Sequence, residues 1–169
     1  LSAATGATVT FTPGTTTTYT ITGTTLGCTS TDQATVTVLP NAPINAGTDA
    51  VICTGASTTL TATGGVTYTW SPVVTNGTAF TPAATGTYTV TGTDANGCIN
   101  TDQVLVTVNP LPTIAVADVT ICATATATLT ATGATTYTWS PATNLSAATG
   151  ATVTFTPGTT TTYTITGTT

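Results

Sequence analysis

Two stretches decide the fold: VICTGASTTLTATGGVTYTWSP at Val51–Pro72 and TICATATATLTATGATTYTWSP at Thr120–Pro141. Set one above the other, Cys53 falls on Cys122, Leu60 on Leu129 and Trp70 on Trp139, each 69 residues apart. In the first, Val66, Tyr68 and Trp70 alternate with Thr67 and Thr69. That period of two places the large side chains on one face of a strand and the threonines on the other. Tyr137 and Trp139 repeat the arrangement.

Further along, Tyr88 and Val90 alternate with Thr87, Thr89 and Thr91, and Val104, Val106 and Val108 form a closing strand. Asn96-Gly97 marks a tight turn between these last two strands. Pro40 and Pro43, like Pro110 and Pro112, punctuate the junctions as short stiff linkers. The repeating unit is therefore about 70–75 residues long. A longer identity overlies it: Leu1–Thr25 equals Leu145–Thr169 letter for letter, an offset of 144. The chain divides into residues 1–39, the late part of a unit; 40–110, a complete unit; and 111–169, the early part of the next.

Composition points the same way. Roughly a third of the residues are threonine, a β-branched type that fits pleated strands. The expected fold class is all-β, with almost no helix. About seven short strands with a Trp on the third describe an immunoglobulin-like sandwich. Tyr88, with Tyr19 and Tyr163 at equivalent positions, is the candidate for a tyrosine corner. A β-solenoid would need a much shorter period. The expected core holds Leu60, Tyr68, Trp70, Tyr88, Leu129, Tyr137 and Trp139.

The chain has no Lys, Arg or His, and five acidic residues, all Asp, for a net charge of −5. Without cations there is no clamp for phosphates, which excludes nucleic acid as a partner. A basic membrane-surface helix is excluded on the same ground, and no apolar run is long enough for a spanning helix. No leader peptide is visible, which says nothing about secretion if the chain is a slice of a longer one. Catalysis lacks its usual acids and bases, and nothing present would activate the many hydroxyls. The expectation is no enzyme and no cofactor.

The motifs TATGGVTYTWSP, TGTYTVTGTDANGC and VTVNPLPT resemble the Ig-like or PKD-like tandem repeats of giant Bacteroidota surface proteins, gliding-type adhesins among them. The resemblance covers essentially the whole chain. It implies secretion, display at the cell surface, and identical repeats or subunits as partners along a filament, with any surface or glycan ligand elsewhere in the full protein. The chain departs from metal- or sugar-binding PKD variants in lacking an extended acidic motif.

Cys53 opens the complete unit and Cys98 follows its Asn96-Gly97 turn, so a Cys53–Cys98 disulfide is expected. Cys28 and Cys122 would then pair with equivalents in adjoining repeats. Spacing alone does not fix connectivity, and free thiols are the alternative. Asp49 and Asp118 each precede an opening Cys by four residues, while Asp32 and Asp102 follow Cys28 and Cys98 by four. Asp49, Asp94 and Asp102 could crowd enough to attract Ca²⁺, but turn formation is the favoured reading, and no metal is expected. Asn76 and Asn144 begin N-x-[ST] glycosylation patterns, which are frequent by chance.

Two functional readings follow. In the first the chain is a structural repeat segment of an extracellular filament or adhesin stalk. In the second its Thr rows form a surface-binding face for glycan, ice or an abiotic substrate, although strand twist spoils a flat lattice match. The incomplete ends are complementary. This leaves two origins open: a slice of a continuous array, which the duplicated 25 residues favour, or subunits that complete each other by strand exchange.

Overall fold

The computed structural model describes residues 5–156 and 158–169. Leu1–Ala4, the start of the duplicated stretch, lie outside it. The described residues contain strands and no helix. In chain order these are β1 (Thr17–Thr25), β2 (Cys28–Val36), β3 (Ala50–Cys53), β4 (Thr58–Thr59), β5 (Thr67–Ser71), β6 (Ala79–Phe80), β7 (Gly86–Thr93), β8 (Ile99–Asn109), β9 (Ala127–Thr130), β10 (Thr136–Ser140), β11 (Thr152–Phe155) and β12 (Thr164–Thr168). They form one four-stranded sheet, ordered β3-β8-β7-β5, and four two-stranded sheets. The chain forms two compact units. One takes the chain up to Val51 together with Ser57–Thr107, and the other takes Ile52–Ala56 with Val108–Thr169.

The first unit contains the hairpin β1–β2, joined by Leu26-Gly27. Both turn residues have positive φ, 50° and 82°, as a type I′ turn requires. Glycine accepts this freely, but leucine does not. Leu26 is also almost fully exposed, so it gains nothing by packing. Leu26→Asn should therefore stabilise the hairpin by about 1 kcal/mol. Thermal or urea unfolding of the full chain would measure this, and a loss of stability would contradict the turn assignment.

The same unit holds a two-layer, sandwich-like body. β5 pairs with β7 through Trp70↔Val90, and β7 with β8 through Tyr88↔Val104 and Val90↔Asp102, all antiparallel. β4 and β6 form the opposing pair. The layers meet where the Phe80 ring packs on Tyr88, centroids 5.3 Å apart. Leu60, Trp70, Tyr88, Val90, Val104 and Val106 are buried here, joined by Ala42, Ile44, Ala46 and Ala62. Tyr68 is half-buried. Its hydroxyl accepts from Gly65 N (2.8 Å) and donates to Gly65 O (2.7 Å). Val66 departs from expectation: it precedes β5 and is 68% exposed, because Gly65 turns the chain just before the strand begins.

The second unit repeats these fixtures. β10 pairs with β12 through Trp139↔Ile165, and β9 with β11 through Leu129↔Val153. Leu129, Tyr137, Trp139, Val153 and Phe155 are buried in one cluster with Ala131. Phe155 and Tyr163 lie 5.9 Å apart, edge to face. The Tyr137 hydroxyl clasps Ala134 N and O, both at 2.7 Å. Ser71–Pro72 and Ser140–Pro141 are both cis. A Cβ on Gly92 would strike the Ile44 side chain, and one on Gly167 would strike Ile114.

The duplicated sequence adopts two structures. Thr17–Thr25 is a nine-residue strand as β1, whereas in its copy only Thr164–Thr168 is strand, as β12. Conversely, Thr152–Phe155 is strand β11, while the same residues at 8–11 are not strand. Phe155 is 7% exposed and Phe11 37%. Identical local propensity gives a strand only where a pairing partner stands beside it, which is the context dependence expected of β structure.

Candidate functional site

The five Asp residues are the chain's only charged side chains, and the structure uses Asp32, Asp49, Asp94 and Asp102 to fix backbone amides. Asp49 Oδ1 accepts from Leu105 N at 2.8 Å, and Asp102 Oδ2 accepts from Ala46 N at 2.8 Å. Each carboxylate thus clasps β8 to the segment that leads into β3. Asp94 Oδ1 accepts from Asn96 N (2.8 Å) and Cys98 N (2.9 Å), fixing the turn that carries Asn96-Gly97. That is an Asx-type role. Among the described residues no group of three or more His, Cys, Asp or Glu comes together to hold a metal ion.

The backbone N–H of Ala46, then that of Gln103, holds the Asp102 carboxyl below its ordinary value, against a smaller opposing effect of desolvation. Hydrogen bonds to the charged form cause the shift. A depressed carboxyl stabilises the fold above its unfolded value and loses that contribution as pH falls through the folded value. The stability advantage of the native chain over Asp102→Asn should therefore be full at neutral pH and shrink in acid. Melting the two proteins side by side across an acid series checks this. A difference that grows as pH falls would contradict it.

The cysteines correct the sequence expectation. Cys53 and Cys98 are free thiols and not bridged to each other; Cys28 and Cys122 are also unpaired within this chain, which does not contain the adjoining-repeat partners expected for them. Thr54, next after Cys53, donates its N–H to Asn109 O at 2.8 Å, at the C-terminal end of β8. Cys98 immediately precedes the N-terminal end of that strand. An eleven-residue strand spans on the order of 30 Å, whereas bridged cysteines need Cα atoms within about 7 Å. The Cys53–Cys98 bridge is not formed, because β3 meets the far end of β8.

Asn76 has a role that the glycosylation pattern did not suggest. Its Oδ1 accepts from Ala62 N (2.7 Å) and from Trp70 Nε1 (3.2 Å), tying the central indole to the chain after β4. In the second unit a six-residue insertion after Pro141 changes the partner, and Trp139 Nε1 donates to Gly150 O at 2.8 Å. Asn144 is exposed, with φ 66°, and its carbonyl accepts from Thr156 N. The tyrosine-corner expectation also changes. Tyr163 donates to Thr143 O, 20 residues upstream, so it ties down the inserted loop. The local tyrosine clasps are instead those of Tyr68 and Tyr137, visible in sequence only as a Tyr three residues after a small residue.

What remains is a surface, on the second unit. β12 pairs with β10 on one edge, and no strand pairs with its other edge among the described residues. Beside it lies a cavity of about 320 Å³, lined by Val116, Val119, Leu129, Phe155, Tyr163 and Ile165 with further residues around them. In the first unit the equivalent edge of β7 is covered by β8, and Val104 and Val106 are buried there. The groove is of mixed character, since Asp118, Thr160, Thr161 and Thr162 line it beside the apolar side chains.

No family model matches the chain, and no curated protein matches it.

Proposed function

We propose that this chain is a structural repeat segment of an extracellular, cell-surface filament or adhesin stalk, made of Ig-like units in series and without catalytic activity. The observation that carries the reading is recurrence of the same fixtures in two units. Tyr68 and Tyr137 each clasp the residue three positions back, and at both Gly64 and Gly133 a Cβ would collide with the carbonyl before an Ile. Recurrence at this level of detail fits one supersecondary unit stacked repeatedly. The resemblance to Ig-like or PKD-like repeats of Bacteroidota surface proteins supports the same assignment, and with it display outside the cell. Absence of Lys and Arg leaves such a stalk without trypsin sites.

The Thr rows favour the stalk over a surface-binding face. Several hydroxyls are already paired across strands, Thr18 with Thr35 and Thr126 with Thr156 at 2.9 Å each. Pulling the native polypeptide end to end tests the reading. Regular unfolding events should appear, each releasing roughly 200 Å of chain, the length of one unit of about 70 residues less its folded span. A single irregular event, or none, would overturn it.

A further inference from the structure

We propose that the free edge of β5 in the first unit, with the cleft beside it, docks an extended segment of another protein, one of small, uncharged residues that joins the sheet as an added strand. The proposal needs only the comparison of the two units and stands apart from the filament reading.

β5 is the last strand of its sheet and pairs with β7 alone. It lies in the middle of the complete unit, with the chain continuing on both sides of it. Its counterpart β10 has the same register. Tyr137 stands opposite Gly167 and Trp139 opposite Ile165, as Tyr68 stands opposite Gly92 and Trp70 opposite Val90. One side-chain contact recurs as well: the Thr69 hydroxyl reaches Thr91 O and the Thr138 hydroxyl reaches Thr166 O, both at 3.5 Å. The same backbone groups therefore point outward from the two strands.

In the second unit those groups are occupied. Trp139 N–H donates to Ala148 O at 2.8 Å, Tyr137 O accepts from Gly150 N–H at 3.1 Å, and Thr138 is bridged antiparallel to Thr149. The covering segment comes from the stretch that is six residues longer after Pro141 than after Pro72. Beside it Tyr137 is 6% exposed.

The shorter loop of the first unit provides no such cover. Among the described residues Trp70 N–H and Tyr68 O have no backbone partner on that side. Tyr68 is only half-buried, and Val73 is 93% exposed. A cleft of about 460 Å³ lies along this edge, with Tyr68, Trp70, Val73 and Val74 as apolar walls and Thr69, Thr75 and Asn76 as polar ones. Sheet edges are ordinarily blocked. This chain blocks the edge in one unit and leaves it open in the other.

The second unit also shows what fits. Its covering stretch, Ser146–Gly150, reads Ser-Ala-Ala-Thr-Gly, with no charge and no side chain larger than Thr. In strand addition the main-chain bonds supply affinity and the side chains need only be accommodated. A docked segment would offer a carbonyl to Trp70 N–H and an N–H to Tyr68 O, as Ala148 and Gly150 do for β10. The chain's own segment of this kind is engaged on β10, which points to a different protein as the source.

The test uses the full chain and the capped peptide Ser-Ala-Ala-Thr-Gly-Ala as probe, followed by amide exchange and chemical shifts in NMR. Millimolar peptide should slow exchange of the Trp70 amide at least tenfold and shift the signals of Tyr68 and Thr69. Methylating the peptide's Gly nitrogen removes the donor to Tyr68 O and should weaken binding at least tenfold. Replacing Val73–Asn76 by the longer Ala142–Ala151 stretch should cover the edge and abolish binding, and the methylated peptide keeps the test decisive if that variant does not fold. An unchanged Trp70 amide, or binding indifferent to the methyl group, overturns the proposal. Self-association of the native chain that protects the Trp70 amide without peptide also overturns it, assigning the edge to a second copy instead.

Discussion

Replacing Gly64 by alanine is expected to destabilise the first unit by about 3–5 kcal/mol, a large share of a domain's usual stability. Two costs combine. Gly64 has φ +86°, a region that side chains with a Cβ resist. A Cβ there would also run into the carbonyl of Pro43, and a backbone oxygen cannot swing aside as a side chain can. Gly97 separates the two, since it has φ +82° with nothing near its missing Cβ. Gly97→Ala should cost only about 1–2 kcal/mol. The second unit repeats the arrangement with Gly133 against Thr113 O, so Gly133→Ala should resemble Gly64→Ala. Urea unfolding of the three variants measures the series. Equal losses at Gly64 and Gly97 would contradict the close approach.

Trp139→Ala should cost the second unit about 3–5 kcal/mol, as expected for removing a large buried aromatic. The indole is 3% exposed, lies at the centre of the cluster with Leu129, Val153 and Phe155, and donates to Gly150 O. Its loss leaves a void and an unpaired carbonyl in a unit whose β12 edge is already open. The variant keeps only one Trp, Trp70, so fluorescence then reads the first unit alone. The expected result is native-like emission from Trp70 at a denaturant concentration where circular dichroism already shows lost strand. A midpoint shift equivalent to less than about 1 kcal/mol would place Trp139 outside the core.

Much of this was legible in the sequence, for identifiable reasons. The alternation in TYTWS located β5 and β10, and Trp70, Tyr88, Tyr137 and Trp139 are buried as the period of two required. Asp94 and Gly97 form the turn between β7 and β8 where Asn-Gly signalled one. Pairing between distant segments was not legible. The Cys53–Cys98 expectation failed because sequence spacing does not say which end of β8 meets β3. Asn76 carried a glycosylation pattern, but its bonds to Ala62 and Trp70 arise only when the chain after β4 comes alongside. The duplicated 25 residues give the clearest limit. No local rule could make β1 nine residues long and β12 five from the same letters. The difference lies in what each copy has beside it.

Residue-resolved amide hydrogen exchange by NMR tests this most directly, because it compares one sequence in two settings. If partners make the strands, the Val153 and Phe155 amides should exchange more slowly than those of Val9 and Phe11, since only the former copy pairs with β9. At the other end of the duplication, protection should reach Thr17 in β1, which stands in a hydrogen-bonded pair with Val36, but fall away at Thr161, ahead of β12. Matching exchange rates in the two copies would contradict the account, for the strands would then belong to the sequence and not to the partner.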